Sequence, residues 1–484
     1  MALSFPVPAR KSRIAARSAG ALLKLNLDPL RLLLALLMLL VVGRVQQHWR
    51  IIAMFRPALL LAALTMIYAF MNPRKLAPEG LFRTWPARVV AALGIWACLS
   101  APFGLSLGGA ARFILEDYSK TLIFCFLLIV AIRSSQDLYT FVWSYVVSCA
   151  ILVYFSVFVF GLHKASGSFA TRLSSGYTWD PNDLGLVLLI GLAMSLLVFQ
   201  TSRGRLRLFA GGTIVGIGVA LARSGSRGAF LGLVAFGIAL LVMLNAIPLV
   251  KRLAFMLVTV VALAVAAPAG YWEQMETVFH PKADYNYTSM EGRRQIWTRG
   301  MGYLWSSPIF GIGIHNFWRA ECIEGDKAKD TALGHGIRCT PPHNSYVEAA
   351  AETGLPGIAM WLSLVFGGII AMLRLRRRLP RAWLKGDDEE RFLYLASMYV
   401  PLAMIGFAVT SFFLSFAWVD MLYILAAFMS GLYVCVGRKL QDSGGRGPAV
   451  VAPRRVRRRG DPVAPRFIAP PEPVVTRGGP EAGT

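Results

Sequence analysis

The chain has 484 residues, of which 56% are hydrophobic and 16% are charged, and its formal net charge is +24. Soluble proteins carry roughly 25% charged residues, so this composition excludes an ordinary soluble domain of the same length. Apolar residues form long runs such as 183–199 and 229–247, close to the roughly 20 residues that cross a bilayer as a helix. Membrane β-strands would instead alternate in short segments. The sequence therefore predicts an all-α polytopic membrane protein.

A basic segment, residues 1–27, precedes the first apolar run and has no clear signal-peptide cleavage site, so we expect it to stay in the cytoplasm. About twelve hydrophobic segments follow, nine within residues 28–270 and three within 354–436, and each is predicted to be a transmembrane helix. In chain order these segments lie near 28–43, 54–71, 86–107, 117–132, 138–161, 183–200, 207–222, 229–248, 252–270, 354–373, 393–413 and 418–436.

An even number of helices puts both termini on one side, and the placement of Lys and Arg decides which side that is. With the N-terminus in the cytoplasm, the inner loops carry dense basic clusters at 203–207, 251–252 and 374–385, whereas the short outer loops carry few. This distribution predicts that both termini are cytoplasmic. Because it also accounts for much of the net charge, we expect no nucleic acid partner.

The C-terminal segment 437–484 is rich in Pro, Gly and Arg and has no apolar period, so we expect a disordered cytoplasmic tail. Its basic run 454–459 either contacts anionic membrane lipids or simply keeps the tail inside. The other large polar segment, 271–353, is too long to be a simple connector. It is Trp-rich and contains helical stretches such as Arg293–Leu304. We expect a large periplasmic loop with short helices.

Two cysteines, Cys322 and Cys339, both lie in this large loop. An oxidising compartment permits a disulfide between them, and two free thiols are the alternative. The sequence lacks a P-loop, C-x-x-C and H-E-x-x-H, and Gly311-Ile-Gly313 lacks the third glycine of a dinucleotide-binding motif. We therefore expect neither a metal site nor a cofactor.

The densest polar group surrounds His343. Ser345 with Glu348 three residues later has the pattern of a helix capping box, and Gly354 suits the C-terminal end of that short helix. His343 has no such structural explanation. At the membrane–water boundary a neutral imidazole can accept a proton. We predict His343 to be catalytic, the alternative being a hydrogen-bonded loop histidine.

Two arginines, Arg223 and Arg227, flank a tight turn between two hydrophobic segments on the predicted outer side. Ionisable groups at membrane depth are costly and are functional candidates. Because arginine recognises phosphate with two parallel hydrogen bonds, we predict that both bind phosphate, Arg227 ahead of Arg223. Interfacial snorkelling is the alternative.

Two further motifs lie on the predicted outer side. Arg293 and Arg294, with Trp297 one helical turn later, could hold a sugar phosphate; a helix lying on the membrane surface is the alternative. Asp180-Pro-Asn182 is a turn signal, and we expect Asn182 or the next residue, Asp183, near a helix N-cap.

Together these motifs suit a lipid-linked pyrophosphate donor, and the sequence resembles the O-antigen ligase and polymerase superfamily. The resemblance has motif support over roughly 160–370 and otherwise rests on topology. The matching motifs are Asp180-Pro-Asn182, Arg223-Ser-Gly-Ser-Arg227-Gly-Ala, Arg293-Arg294-x-x-Trp297, Ser307-Pro-Ile-Phe-Gly311-Ile-Gly313, and His343-Asn-Ser-Tyr346 with Glu352-x-Gly354.

The resemblance implies a metal-independent, inverting glycosyltransferase on the periplasmic face of a bacterial inner membrane. It would move a glycan from undecaprenyl-pyrophosphate to lipid A–core, as a ligase does, or to a growing glycan, as a polymerase does. His343 would activate the acceptor hydroxyl, and Arg227 with Arg293 or Arg294 would bind the pyrophosphate. A transporter of lipid-linked substrates and a non-catalytic scaffold are the remaining hypotheses. Further candidates for glycan or acceptor contacts are Tyr346, Glu348, Trp297 and Asn182.

Overall fold

The structure is a computed structural model of the chain. It describes residues 24–48, 50–77, 79–164, 170–173, 179–244, 247–280, 292–323 and 340–442. The N-terminal segment up to residue 23 and the predicted tail from residue 443 lie outside these described residues.

Among the described residues, eight helices are long and apolar enough to cross a membrane, by length and composition. Three shorter apolar helices also coincide with predicted segments, and so does the 13-residue helix Ser119–Ala131. A multi-pass helical membrane protein is therefore confirmed, whereas the count of twelve stays a prediction. The eight long helical segments are Trp85–Phe103, Ser135–Val159, Pro181–Thr201, Gly204–Ser224, Leu249–Ala266, Ser345–Arg378, Asp388–Phe413 and Asp420–Asp442.

The described helices are numbered in chain order. The first part of the chain contains α1 (Pro29–Val41), α2 (Arg50–Met54), α3 (Pro57–Met71), α4 (Glu79–Arg83), α5 (Trp85–Ser100), α6 (Leu107–Phe113), α7 (Ser119–Ala131), α8 (Ser135–Tyr154), α9 (Pro181–Thr201), α10 (Gly204–Ser224), α11 (Arg227–Met243) and α12 (Leu249–Ala266). The second part contains α13 (Tyr271–Glu276), α14 (Arg293–Ser306), α15 (Phe317–Ile323), α16 (Ser345–Leu362), α17 (Gly368–Arg378), α18 (Asp388–Thr410) and α19 (Asp420–Asp442). Short 3-10 helices cover Val45–His48, Pro73–Lys75, Ala101–Phe103, Arg381–Lys385 and Ser411–Phe413, and π-helical turns cover Ile114–Tyr118, Phe155–Val159 and Ser363–Gly367.

One small hairpin departs from the predicted all-α architecture within the described residues. Strands β1 (Leu162–Lys164) and β2 (Thr171–Leu173) pair antiparallel, with Leu162 opposite Leu173. The backbone N–H of Thr171 also donates to the Ala269 carbonyl oxygen at 3.1 Å. The hairpin therefore ties the segment after α8 to the segment after α12.

The core of the bundle lies around α9, α18 and α19. These three helices are 89%, 89% and 83% buried over their most apolar windows, whereas α12 is only 6% buried. Residues of α12 such as Leu257 and Val265 are accordingly exposed. In a membrane protein such apolar side chains face lipid, because lipid tails solvate them as well as protein does. We infer that α12 lies at the periphery of the bundle.

In the described part of the predicted large loop, the chain forms the short helices α13, α14 and α15. The predicted helical stretch Arg293–Leu304 corresponds to α14, which ends two residues later. A second, small apolar core joins α14, α15 and the start of α16. Its buried members are Ile296, Ile312, Phe317, Ala320, Val347 and Ala351. We call the end of the bundle that carries this core the outer end.

Helix α16 contains the boundary that the sequence predicted at Gly354. This glycine has φ 68° and ψ −170°, so the chain leaves the helical conformation there and resumes it at once. A Cβ at this position would lie 2.3 Å from the Ile309 carbonyl oxygen. Both the left-handed φ and this close approach require glycine. The break separates the turns that carry the polar motif from the apolar helix that follows.

Candidate functional site

His343 occupies a strained turn immediately before α16. Its φ is 46°, in the left-handed region that non-glycine residues rarely adopt. Its backbone N–H donates to the Ser415 hydroxyl at 2.9 Å. The next residue, Asn344, caps the helix, because its side-chain oxygen accepts the N–H groups of Tyr346 and Val347 at 2.9 and 3.2 Å. Strained, over-determined backbone of this kind concentrates at functional sites.

The predicted capping box of Ser345 and Glu348 is wrong, because Asn344 takes the cap position. Both side chains instead bind the connection between α18 and α19. The Ser345 hydroxyl donates to the Leu414 carbonyl oxygen at 2.7 Å and accepts the Phe416 N–H at 2.9 Å. A Glu348 carboxylate oxygen accepts the Ala417 N–H at 3.0 Å. Glu348, a predicted glycan or acceptor contact, therefore helps to fasten the connection to the turn that carries His343.

Glu352 is the central polar side chain beneath this turn, and it is buried. Its carboxylate accepts the backbone N–H groups of His315 and Phe317 at 2.8 and 3.0 Å. It also accepts the indole N–H of Trp418 at 2.7 Å. One carboxylate thus joins α16 to the start of α15 and to the segment before α19. Because buried polar groups need hydrogen-bond partners, these three bonds fix the segments relative to one another.

Trp297 docks α14 against the same turn. Its indole N–H donates to the Pro342 carbonyl oxygen at 2.8 Å. Its ring meets Phe412 edge-on, with the centroids 5.1 Å apart. Trp297 was predicted to contact a glycan, yet its N–H has an acceptor inside the protein. Trp297 therefore positions Pro342, the residue that precedes His343.

Charged groups of opposite sign act on the His343 imidazole. Burial, with a smaller contribution from the Arg293 guanidinium, lowers the pKa of His343 to about 4, and the Asp180 carboxylate opposes both effects. Asp180 caps α9, and it accepts both the backbone N–H and the side-chain N–H of Asn182, at 2.9 and 2.7 Å. Asn182, a predicted glycan contact, thus holds the carboxylate whose charge acts on His343. Asp180 was predicted as a turn residue and as part of a matching motif, without a role at His343.

This electrostatic environment predicts a pH-dependent stability. The pKa of His343 is about 4 in the folded protein, against an ordinary value of 6.5. Between these values the unfolded chain binds more protons at this residue, so the free energy of unfolding falls as the pH drops from about 6.5 towards 4. We expect His343→Asn to lose this part of the pH dependence. Thermal unfolding in detergent at about pH 7 and about pH 4.5 measures it; equal acid sensitivity in both proteins would contradict the assignment.

The two predicted phosphate-binding arginines of the α10–α11 turn have different partners. Arg223 donates to the backbone carbonyl oxygens of Ser156 and Phe160, at 2.9 and 3.1 Å. It therefore ties α10 to the end of the preceding π-helical turn. Arg227, at the start of α11, donates to the Thr277 hydroxyl at 2.7 Å. Arg227 thus reaches across to the segment after α13, at the outer end.

A row of aromatic side chains connects the start of α11 to the His343 turn. A Cβ on Gly228, next to Arg227, would lie 3.0 Å from the Cβ of Phe413. The neighbouring Phe412 lies 5.8 Å from the Tyr346 ring, centroid to centroid. The Tyr346 hydroxyl donates to the Ala408 carbonyl oxygen at 2.8 Å. These contacts bring α11, α16 and α18 together at the outer end, and Tyr346 serves there as a packing residue.

An amphipathic cavity of about 610 Å³ lies on the other side of Trp418. Arg44 lines its polar end with Asp117 and Asp420, and apolar side chains of α1, α3 and α7 line the remainder. The Arg44 guanidinium stacks on Trp179, 3.3 Å from the ring centroid. Neither residue was predicted as a site residue: Arg44 lies outside the quoted motifs, and Trp179 directly precedes the turn motif Asp180-Pro-Asn182. A cavity with one charged end and apolar walls suits a lipid with a polar headgroup.

Other predicted residues occupy less central positions. Arg294 is exposed on α14, next to Arg293. Cys322 is disulfide-bonded, whereas its predicted partner, Cys339, lies outside the described residues. Among the described residues, no three or more His, Cys, Asp or Glu side chains group closely enough to hold a metal ion.

One known protein family matches the part of the chain that contains the arginine turn and the His343 turn. Residues 212–362 match the family model described as O-Antigen ligase. The matched range contains the arginine turn before α11, helix α14 and His343. No curated protein sequence matches the chain. Over this range the family match supports the resemblance that the motifs indicated, and the apolar helices indicate a multi-pass membrane protein.

Proposed function

We propose that this protein is a membrane glycosyltransferase of the O-antigen ligase type. It moves a glycan from undecaprenyl-pyrophosphate to lipid A–core on the periplasmic face of the inner membrane. The observation that carries this proposal is the His343 turn. His343 is half-buried at the outer end of the bundle. Its backbone N–H is bonded to Ser415, the preceding residue accepts the Trp297 indole N–H, and the charges of Arg293 and Asp180 act on the imidazole.

The chemistry follows from these charges. The neutral His343 imidazole accepts the proton of the acceptor hydroxyl while that oxygen attacks the anomeric carbon of the glycan. The bond between this carbon and the pyrophosphate oxygen breaks with inversion, and the pyrophosphate leaves as an anion. Arg293 stabilises the growing negative charge, as preorganised cations do at a departing phosphate. Arg227 and Arg294 are the further candidates for this contact.

The lowered pKa of His343 suggests that the bound glycan donor helps to activate this base. An imidazole with a pKa of about 4 is a weak base. Part of that lowering comes from the Arg293 guanidinium, which a bound pyrophosphate would neutralise. Since nearby negative charge raises the pKa of a histidine, donor binding strengthens the base at the moment it is needed. General bases work best when their pKa approaches the operating pH.

A reconstituted assay tests the proposed function. The purified protein in vesicles is supplied with undecaprenyl-pyrophosphate-linked glycan and lipid A–core, and products are separated on a gel. Glycan attached to lipid A–core supports the ligase; a lengthened lipid-linked glycan would assign a polymerase instead. Movement of the lipid-linked donor across the bilayer without any transfer would overturn the enzyme proposal in favour of a transporter.

Replacing Arg293 tests the electrostatic part of the mechanism. We expect Arg293→Gln to lower glycan transfer by about 100-fold or more, the usual effect of removing one transition-state charge contact. The variant also raises the pKa of His343, which shifts the pH profile of transfer upward. Arg294→Gln shows which of the adjacent arginines carries the effect. Arg319→Gln, an exposed arginine on α15, is the matched control. If both Arg293→Gln and Arg294→Gln transferred glycan at the wild-type rate, neither arginine of α14 would take part in the mechanism.

A further inference from the structure

A second cavity lies at the inner end of the bundle, opposite the His343 turn. Helix α9 begins at the Asp180 cap and has 21 residues, so its two ends are about 30 Å apart. Phe199 and Gln200, near the far end of α9, line the cavity together with residues of α10, α11, α12 and α18. Its volume is about 410 Å³. This cavity is therefore separate from the proposed site of glycan transfer.

The charged residues that line this cavity all have the same sign. Arg207, Lys251, Arg252 and Arg391 contribute to its wall, and no Asp or Glu is among the lining residues that the structure describes. Arg252 and Arg391 are half-buried, and Arg207 and Lys251 are exposed. Four cations that line one half-open cavity repel one another. Such an arrangement is stabilised by a bound anion, and the natural anion for clustered arginines is a phosphate.

One of these arginines has an unused donor. The Arg252 guanidinium donates through Nη1 to the Leu241 carbonyl oxygen. Its Nε atom is buried and has no hydrogen-bond partner within the described part of the chain. A buried N–H without an acceptor costs roughly 1–3 kcal/mol. An anion in the cavity would offer the missing acceptor.

The remaining walls and the position of α12 indicate a lipid. Phe199, Leu240 and Phe255 line the cavity beside the cations, and the Arg207 guanidinium lies 4.6 Å from the Phe199 ring centroid. Helix α12, which supplies Lys251 and Arg252, is the peripheral helix whose apolar residues face the membrane. Inorganic phosphate has no apolar part that could contact these apolar walls, whereas the acyl chains of a lipid would cover them.

We propose that this cavity binds the headgroup of an anionic phospholipid of the cytoplasmic leaflet. The phosphate contacts Arg252, Lys251 and Arg391, and the acyl chains lie along α12 and the apolar wall. Basic pockets between membrane helices on the cytoplasmic side recognise such headgroups. The bound lipid would fasten the loosely packed α12 to the rest of the bundle. This inference is independent of the proposed function.

Lipid binding is tested on the purified full-length protein. Native mass spectrometry measures retained lipid after incubation with cardiolipin, phosphatidylglycerol or phosphatidylcholine in equal amounts. We expect the two anionic lipids to bind, and the double variant Lys251→Gln, Arg391→Gln to weaken their binding by roughly tenfold or more. Arg205→Gln, an exposed arginine on α10 outside the cavity wall, is the control and keeps wild-type binding.

Three outcomes would overturn the proposal. Equal retention of phosphatidylcholine would show that charge plays no part in the binding. Unchanged lipid binding by the double variant would put the lipid elsewhere on the protein. Displacement of the lipid by millimolar inorganic phosphate would assign the cavity to a soluble anion. Because the double variant leaves the Arg252 bond to Leu241 intact, it should stay folded, and its elution as a single species in size-exclusion chromatography verifies this.

Discussion

Replacing His343 with alanine is expected to lower glycan transfer by about 100- to 10 000-fold, the contribution of a general base. The reason is that His343 offers a neutral imidazole on which the charge of Arg293 acts at the proposed site. The protein should still reach the membrane, because the helices that span it do not depend on this side chain. Initial rates with the purified variant, at saturating donor, measure the effect.

The backbone of His343 calls for a second variant and a control. Alanine is strained at a φ of 46°, whereas asparagine tolerates the left-handed region. His343→Asn therefore separates the loss of the imidazole from a distortion of the turn, and it should be as inactive as His343→Ala. His163→Ala, an exposed histidine in the β-hairpin, should keep full transfer. Recovery of activity in His343→Asn would mean that the turn, and not the imidazole, is what catalysis needs.

Replacing Glu352 with alanine is expected to give the largest loss of stability in the outer end. Three donors lose their acceptor: the backbone N–H groups of His315 and Phe317 and the indole N–H of Trp418. Each buried donor left unsatisfied costs roughly 1–3 kcal/mol, so for three donors the free energy of unfolding should fall by roughly 3–9 kcal/mol in total. Thermal unfolding of the purified protein in detergent measures the change.

Two comparisons make the Glu352 result specific. Glu352→Gln keeps the shape and one acceptor oxygen, so its loss of stability should be intermediate. Glu273→Ala replaces an exposed glutamate of α13 and should unfold like the wild-type protein. An unfolding temperature of Glu352→Ala equal to that of wild type would contradict the view that this carboxylate holds the outer end together.

Local patterns in the sequence predicted those features that depend on near neighbours. Apolar runs located the helices, because a helix in a membrane satisfies its own backbone hydrogen bonds. Gly354 was predicted to end a helix, and the chain does leave the helical conformation there. The helical stretch Arg293–Leu304 was predicted almost to its ends. His343 was singled out because no local structural role explained it.

The partners of the polar side chains were harder to predict, since they come from distant parts of the chain. Ser345 and Glu348 have the spacing of a capping box, yet their partners lie 69 to 71 residues away in sequence. Arg223 was predicted to bind phosphate, and it donates to carbonyl oxygens more than 60 residues earlier. Backbone groups leave no pattern in a sequence, so such bonds become visible only in the fold.

The sequence by itself determined that this is a multi-pass helical membrane protein, where its chain breaks at Gly354, and which superfamily it resembles. These properties follow from composition, periodicity and short motifs. Only the tertiary structure decided that Asp180 and Arg293 act on the same imidazole, that Glu352 joins three segments, and that four cations share one inner cavity. Each of these depends on the packing of helices far apart in sequence, because charge and hydrogen bonding act over a few ångströms of space, whatever the separation along the chain.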